Sequence, residues 1–230
     1  MIIACSGSTK DAVVCHVAYL QLLILCAAGV LRKMSLESRR RKQRGNVMAT
    51  WNVCIWFCYL GDMIGSGGGA EEASRARVRC AWSKFRELTP ILTSRGASLK
   101  VKGKLYSACV QCVMIYGSET WAMKVEDMQR LERTEKMMIR WMCGVSLRDM
   151  KSSFELRKRL GIVSVSDLVQ RGRLRWYGHV ERKDINDWVS TCRFVEVEGQ
   201  RGRGRGRKAW KECVASDMRQ LGLRQEDARD

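Results

Sequence analysis

The segment Arg171-Gly-Arg-Leu-Arg-Trp-Tyr-Gly-His-Val-Glu-Arg-Lys183 sets five cations and an adjacent Trp-Tyr pair within thirteen residues. A second run, Gly199-Gln-Arg-Gly-Arg-Gly-Arg-Gly-Arg-Lys208, places a cation at nearly every other position. Cations hold phosphate by charge, and flat rings stack on bases. The candidate nucleic-acid-binding residues are therefore Arg171, Arg173, Arg175, Trp176, Tyr177, His179, Arg182, Lys183, Arg201, Arg203, Arg205, Arg207 and Lys208. The cations would contact phosphate, while Trp176 and Tyr177 would stack or brace the fold. Phosphate contacts carry no base information, so little sequence preference is expected. For the first segment the alternative is a helix whose arginines face solvent while Trp176, Tyr177 and Val180 enter a core. The second run cannot be core, because glycine at alternate positions prevents a stable helix; its alternative is a solvated linker.

Other chemistry finds less support. Cys109-Val-Gln-Cys112 has the spacing of half a zinc site, but His16 and His179 are the only histidines and no second Cys-x-x-Cys exists. Zinc needs four ligands, so no metal is expected. No Gly-x-Ser-x-Gly occurs, and no two aspartates are adjacent, so neither a hydrolase nucleophile nor a two-metal carboxylate site is evident. Gly65-Ser-Gly-Gly-Gly69 lacks the lysine of a phosphate-cradling loop and reads as a connector, followed by acids suited to a helix start. No catalytic residue, cofactor or small-molecule substrate is expected.

These residues must be held by something, and the composition points to helices. The 230 residues carry 42 Lys+Arg against 24 Asp+Glu, a net charge of +18, and are 46% hydrophobic. An acidic partner, nucleic acid or an anionic membrane face, is implied, and the chain has enough apolar residues for a core. The eleven cysteines are odd in number and irregularly spaced, which reads as reduced thiols mostly buried in helices. With Pro90 the one proline, long segments are free to be helical.

Trp51 to Tyr59 reads as a short strand. Val78, Ala81, Trp82, Phe85, Leu88 and Leu92 share one helical face, as do Leu105, Tyr106, Cys109, Val110, Val113 and Met114 in the next helix. A third helix carries Val125, Met128, Leu131, Met138, Ile139 and Met142, with Arg130, Arg133 and Lys136 outward. Shorter helices are predicted over 151–160, 165–182 and 208–221, with Gly144, Gly161 and Gly222 as stops.

The amino end differs. Residues 12–31 form an apolar run broken only by His16 and Gln21, long enough to span a bilayer. Arg32, Lys33 and the Arg39-Arg-Arg-Lys-Gln-Arg44 cluster follow it, a flank that suits a membrane span or a basic linker. A buried helix is the alternative.

Seven segments together carry a family resemblance. In order they are Phe57-Cys-Tyr-Leu-Gly61, Ile115-Tyr-Gly-Ser-Glu-Thr-Trp121, Leu131-Glu-Arg-Thr-Glu135, Arg140-Trp-Met-Cys-Gly-Val145, Leu174-Arg-Trp-Tyr-Gly-His-Val180, Gly202-Arg-Gly-Arg-Gly-Arg-Lys-Ala-Trp210 and Asp217-Met-Arg-Gln-Leu221. From about Cys54 onward the chain resembles the C-terminal part of the reverse transcriptase of non-LTR (LINE-type) retrotransposons, closest to the RTE-like group. The resemblance implies a palm-end hairpin and thumb-like helical region over 53–145 and a basic C-terminal helical region with an Arg-Gly loop over 146–230. Ahead of that region stand the apolar helix, 1–31, and the basic linker, 32–52, and residues 1–50 match nothing in that family. The family's Phe/Tyr-x-Asp-Asp polymerase motif does not occur here, so no RNA-directed DNA polymerase activity is expected.

The expected fold is mainly α: a helical thumb-like bundle with one small β-hairpin, and a candidate membrane-spanning helix at 12–31. The expected partner is RNA or an RNA–DNA duplex, bound without sequence preference, in nucleus or cytoplasm. The competing readings are a membrane-anchored basic protein and a pseudogene product with no selected function.

Overall fold

A computed structural model describes residues 56–59, 61–65, 69–184, 186, 187, 189 and 208–228. The apolar run at 12–31, the linker at 32–52, and Arg201, Arg203, Arg205 and Arg207 lie outside the described residues. Among the described residues no helix is long and apolar enough to cross a membrane.

The fold is mainly α with one hairpin, as its apolar periodicities predict. Strands β1 (Trp56–Tyr59) and β2 (Asp62–Gly65) pair antiparallel, with Trp56 opposite Gly65 and Tyr59 opposite Asp62. The turn between them needs Gly61, whose φ is +78°. The helices follow as α1 (Glu71–Leu92), α2 (Leu99–Tyr106), α3 (Cys112–Ile115), α4 (Val125–Cys143), α5 (Ser153–Leu160), α6 (Val165–Glu181) and α7 (Trp210–Leu221).

By compactness the chain divides into two units. One is Ala70–Trp176 with Lys208–Arg224; the other is Met1–Gly69, Tyr177–Arg207 and Gln225–Asp230. In the first, α1 packs on α3 and α4, and α2 and α4 both pack on α5. Phe85, Tyr106, Val110, Met114, Leu131, Met138, Ile139, Met142, Leu156 and Leu160 fill the space between them. Their spacing along each helix is the three-and-four pattern that directs one stripe inward. Gly144, Gly161 and Gly222 end their helices at φ +63°, +68° and +66°, each helix closing with the paired backbone bonds of a Schellman end.

Three features depart from the sequence expectation. The predicted helix through Leu105 and Met114 is interrupted by a π-helical turn, Ser107–Gln111. One wide turn rotates the register and brings Gln111 into the interior. Val125, expected on the apolar stripe, is 68% exposed, because it is the first residue of α4 and lies beyond the core. Arg130, expected to face outward, is half-buried and donates to Ser74 Oγ at 2.7 Å and Asp127 Oδ1 at 3.0 Å.

At one point backbones nearly touch. Gly103 in α2 faces the carbonyl of Leu160 at the end of α5 so closely that a Cβ would stand 1.9 Å from that oxygen.

The cysteines differ as well. The six described ones are free thiols, and only Cys213 among them is buried; Cys58, Cys80 and Cys112 are exposed. Cys80 stands one position off the buried stripe that contains Ala81, which turns its thiol outward.

Candidate nucleic-acid interface

Helix α6 positions most of the described candidate residues. Its first turn is closed by Ser164, whose Oγ accepts from Asp167 N at 3.1 Å. It is anchored by Glu135 of α4, whose Oε1 accepts from Val165 N at 3.0 Å.

The arginines of α6 alternate in sequence, but a helix advances 100° per residue and separates them. Arg171 and Arg175, one turn apart, are exposed. Arg173 points the other way: it is 5% exposed, and its NH1 lies 2.8 Å from Asp217 Oδ2 of α7. In this arrangement Arg173 fastens α7 to α6 and offers no free charge to a phosphate. Gln170 Nε2 donates to Gln220 Oε1 at 3.1 Å along the same seam.

The signal was present in the sequence. Arg173 is four residues after Val169 and three before Trp176, both buried, so it occupies a core position of the helix. Replacing Asp217 by Ala should strand that buried guanidinium and cost about 2–3 kcal/mol, the part-exposed carboxylate placing it below the fully buried case. Arg171→Ala should cost less than about 0.5 kcal/mol. Urea midpoints of the two variants check this; similar small losses in both would show that the pair carries no weight.

Trp176 is 6% exposed, so of its two expected roles the structure shows it bracing the fold. Tyr177 is half-buried. His179 is half-buried too, and burial first, then Lys183 and Arg182, hold its pKa below the ordinary value. A neutral imidazole at neutral pH follows, which supplies hydrogen bonding rather than charge. Arg182 is exposed and donates through NH1 to Ala228 O at 2.8 Å. Lys183 lies 3.4 Å from Asp187 Oδ2. Asp187 is held below the ordinary carboxylate range by the backbone N–H of Val189 and, more weakly, by Lys183. Lys208 is exposed. The structure thus presents Arg171 and Arg175 together and turns Arg173 inward.

Two polar clusters lie inside the first unit. Glu135, 1% exposed, accepts from Gln111 Nε2 at 3.1 Å and Arg157 NH1 at 3.2 Å besides Val165 N. Gln111 Nε2 also donates to Val163 O at 2.7 Å. Burial pushes the Glu135 carboxyl above its ordinary range, with Arg157 pulling the other way. The second cluster is Asp127, which accepts from Ser74, Arg130 and the backbone N–H of Lys124. Both clusters tie helices together. Among the described residues no group of three or more His, Cys, Asp or Glu is placed to hold a metal ion.

One of the family-like segments, Ile115 to Trp121, forms a corner of the fold. At Gly117 (φ +79°) the chain turns into a 3₁₀ turn, Ser118–Thr120, and buries Trp121. Helix α7 docks on this corner, with Trp210 Nε1 donating to Glu119 O at 2.8 Å and Cys213 Sγ donating to Met123 O at 3.7 Å.

An aromatic cluster on α1 and α4 went unnoticed in the sequence as a surface feature. Trp141 is 50% exposed, with its ring centroid 5.5 Å from that of buried Phe85 and 6.5 Å from that of Trp82. Trp82 meets Phe85 edge-to-face at 5.7 Å.

A basic, mainly helical chain with exposed cations on one helix is the class these observations define. Over 141 residues it is 26% identical to a transposon-derived protein of Caenorhabditis elegans, a match covering 58% of this chain and 49% of that protein. The chain thus matches about half the length of its curated relative, and the similarity points to a transposon origin. No protein-family model matches the chain, and no solved structure matches it.

Proposed function

We propose that this chain is the thumb and post-thumb part of a non-LTR, RTE-like reverse transcriptase, and that it binds RNA or RNA–DNA duplex through the phosphate backbone. The seven ordered segments and the transposon-derived relative support the origin. The binding rests chiefly on one observation: a chain of net charge +18 presents Arg171 and Arg175 one turn apart on a helix whose other face is buried. The Arg-Gly run, Arg201 to Lys208, adds five more cations to the sequence. No two aspartates are adjacent in the sequence, as the polymerase motif of that family requires for its two metal ions, so the purified protein should extend no primer.

The test is binding of the full chain to a labelled RNA–DNA duplex across a salt series. A companion variant carries Arg201, Arg203, Arg205 and Arg207 changed to Ala. Each lost phosphate contact flattens the logarithmic salt slope by about 0.9 on B-DNA, so the variant should be shallower by roughly 2–4. Absent binding, or a slope indifferent to those arginines, would overturn the reading.

A further inference from the structure

The three rings of Trp82, Phe85 and Trp141 are more than core. Phe85 is fully buried and braces Trp141 at an interplanar angle of 45°, while half of the Trp141 surface remains in water. A large ring fixed on one side and exposed on the other has already lost its rotamer freedom, so a flat partner stacking on it meets little ordering cost.

The surroundings of this ring are cationic. On α1, Arg79 and Arg86 lie three residues before and four after Trp82, so they share its face, and both are exposed. On α4, Arg133 lies two turns before Trp141 with Met137 between them, and both are exposed. None of the three arginines forms an ion pair among the described residues; Arg133 donates only to the neutral amide of Gln129, at 3.3 Å. Arg140, next to Trp141, is instead spent on the backbone, donating to Ser146 O and Lys151 O at 3.0 Å. A shallow open depression of about 450 Å³ continues along the same edge of α4, lined by Arg130, Arg133, Thr134 and Met137, with the acid Glu126 at its start.

We propose that Trp141, held by Phe85 and Trp82 and flanked by Arg79, Arg86 and Arg133, is a stacking platform for an unpaired nucleobase, with the arginines on its phosphates. This rests on the nucleic-acid reading above, but uses a different surface and a different chemistry. The partner is single-stranded nucleic acid because the two requirements coincide only there: an accessible π-face and a regular negative charge. A duplex offers the charge but keeps its bases stacked on one another.

The experiment measures affinity of the full chain for three probes: a 20-nucleotide oligo-dT, an abasic oligomer of equal length, and the RNA–DNA duplex. The protein forms are wild type, Trp141→Leu and Trp141→Phe. Expected are tighter binding of oligo-dT than of the abasic strand and a loss for oligo-dT of roughly 5- to 150-fold in Trp141→Leu, the worth of about one stacked base. Affinities for the abasic strand and the duplex should stay the same, and Trp141→Phe should retain most of the affinity.

Several outcomes would overturn the platform. Equal wild-type affinity for oligo-dT and abasic strand would do so. So would an equal loss on all three probes in Trp141→Leu, which marks a structural role. A dimer lost in Trp141→Leu with oligo-dT binding unchanged would assign the face to a second copy of the chain. Failure to bind any probe, the duplex included, would instead remove the broader nucleic-acid reading along with it.

Discussion

Replacing Gly103 by Ala is expected to destabilise the protein by about 3 kcal/mol, although Ala is the better helix former by about 1 kcal/mol. The added methyl has nowhere to go. Its carbon would stand 1.9 Å from the backbone oxygen of Leu160 and 2.8 Å from the carbonyl carbon. A side chain can rotate away from such a contact, but here α2 and α5 would have to separate, opening the packing around Leu156, Leu160 and Tyr106, all buried. At about 2–4 °C per kcal/mol, the melting temperature should fall by roughly 6–12 °C. Gly172 is the matched control: it is also inside a helix, and a Cβ there would meet nothing within 4 Å. Gly172→Ala should stabilise by about 0.5–1 kcal/mol. Thermal melts of both variants decide the matter, and shifts of the same sign would refute the close approach.

Replacing Glu135 by Ala should cost about 3–5 kcal/mol, because it strips a buried carboxylate from three donors on three other elements. Arg157 would be left a part-buried charge without its counter-ion, and the Gln111 amide and Val165 N–H would lose an acceptor. The effect carries a pH signature. Burial holds the folded-state carboxyl above its ordinary range, so the folded protein keeps this proton to higher pH than the unfolded chain does. The resulting stabilisation is fully present below about pH 4, the ordinary Glu value, and is lost as pH rises through the folded value. Urea midpoints of wild type relative to Glu135→Gln should therefore fall as pH rises above about 4. A difference that grows with pH would mean that Arg157 outweighs burial and that the carboxylate is the favoured form.

These two sites show how unevenly the fold was legible. The helices predicted over 151–160, 165–182 and 208–221 appear as Ser153–Leu160, Val165–Glu181 and Trp210–Leu221. Their glycine stops fall where expected, since a positive φ at a helix end is a local demand that glycine meets by itself. Glu135 belongs to a family-like segment, and its place on the helix is readable as well. It lies four residues after Leu131 and three before Met138, both fully buried, and an acid on that stripe requires a buried partner. Which partner could not be read, for Gln111 is 24 residues away in the chain and Arg157 is 22.

The binding residues divide along the same line. Charge density alone marked 171–183, and the structure leaves Arg171 and Arg175 outside while spending Arg173 on Asp217, 44 residues on. The sequence by itself determined the mainly helical class, the helix ends and the basic character, because periodicity, capping and charge are properties of neighbours along the chain. The tertiary structure decided that Arg173 is a fastener, that Gln111 turns inward on a π-helical turn, that Gly103 must stay bare, and that Trp141 stands half in water against Phe85. Each of those depends on which helix face meets which other, and that is settled by packing between segments far apart in sequence.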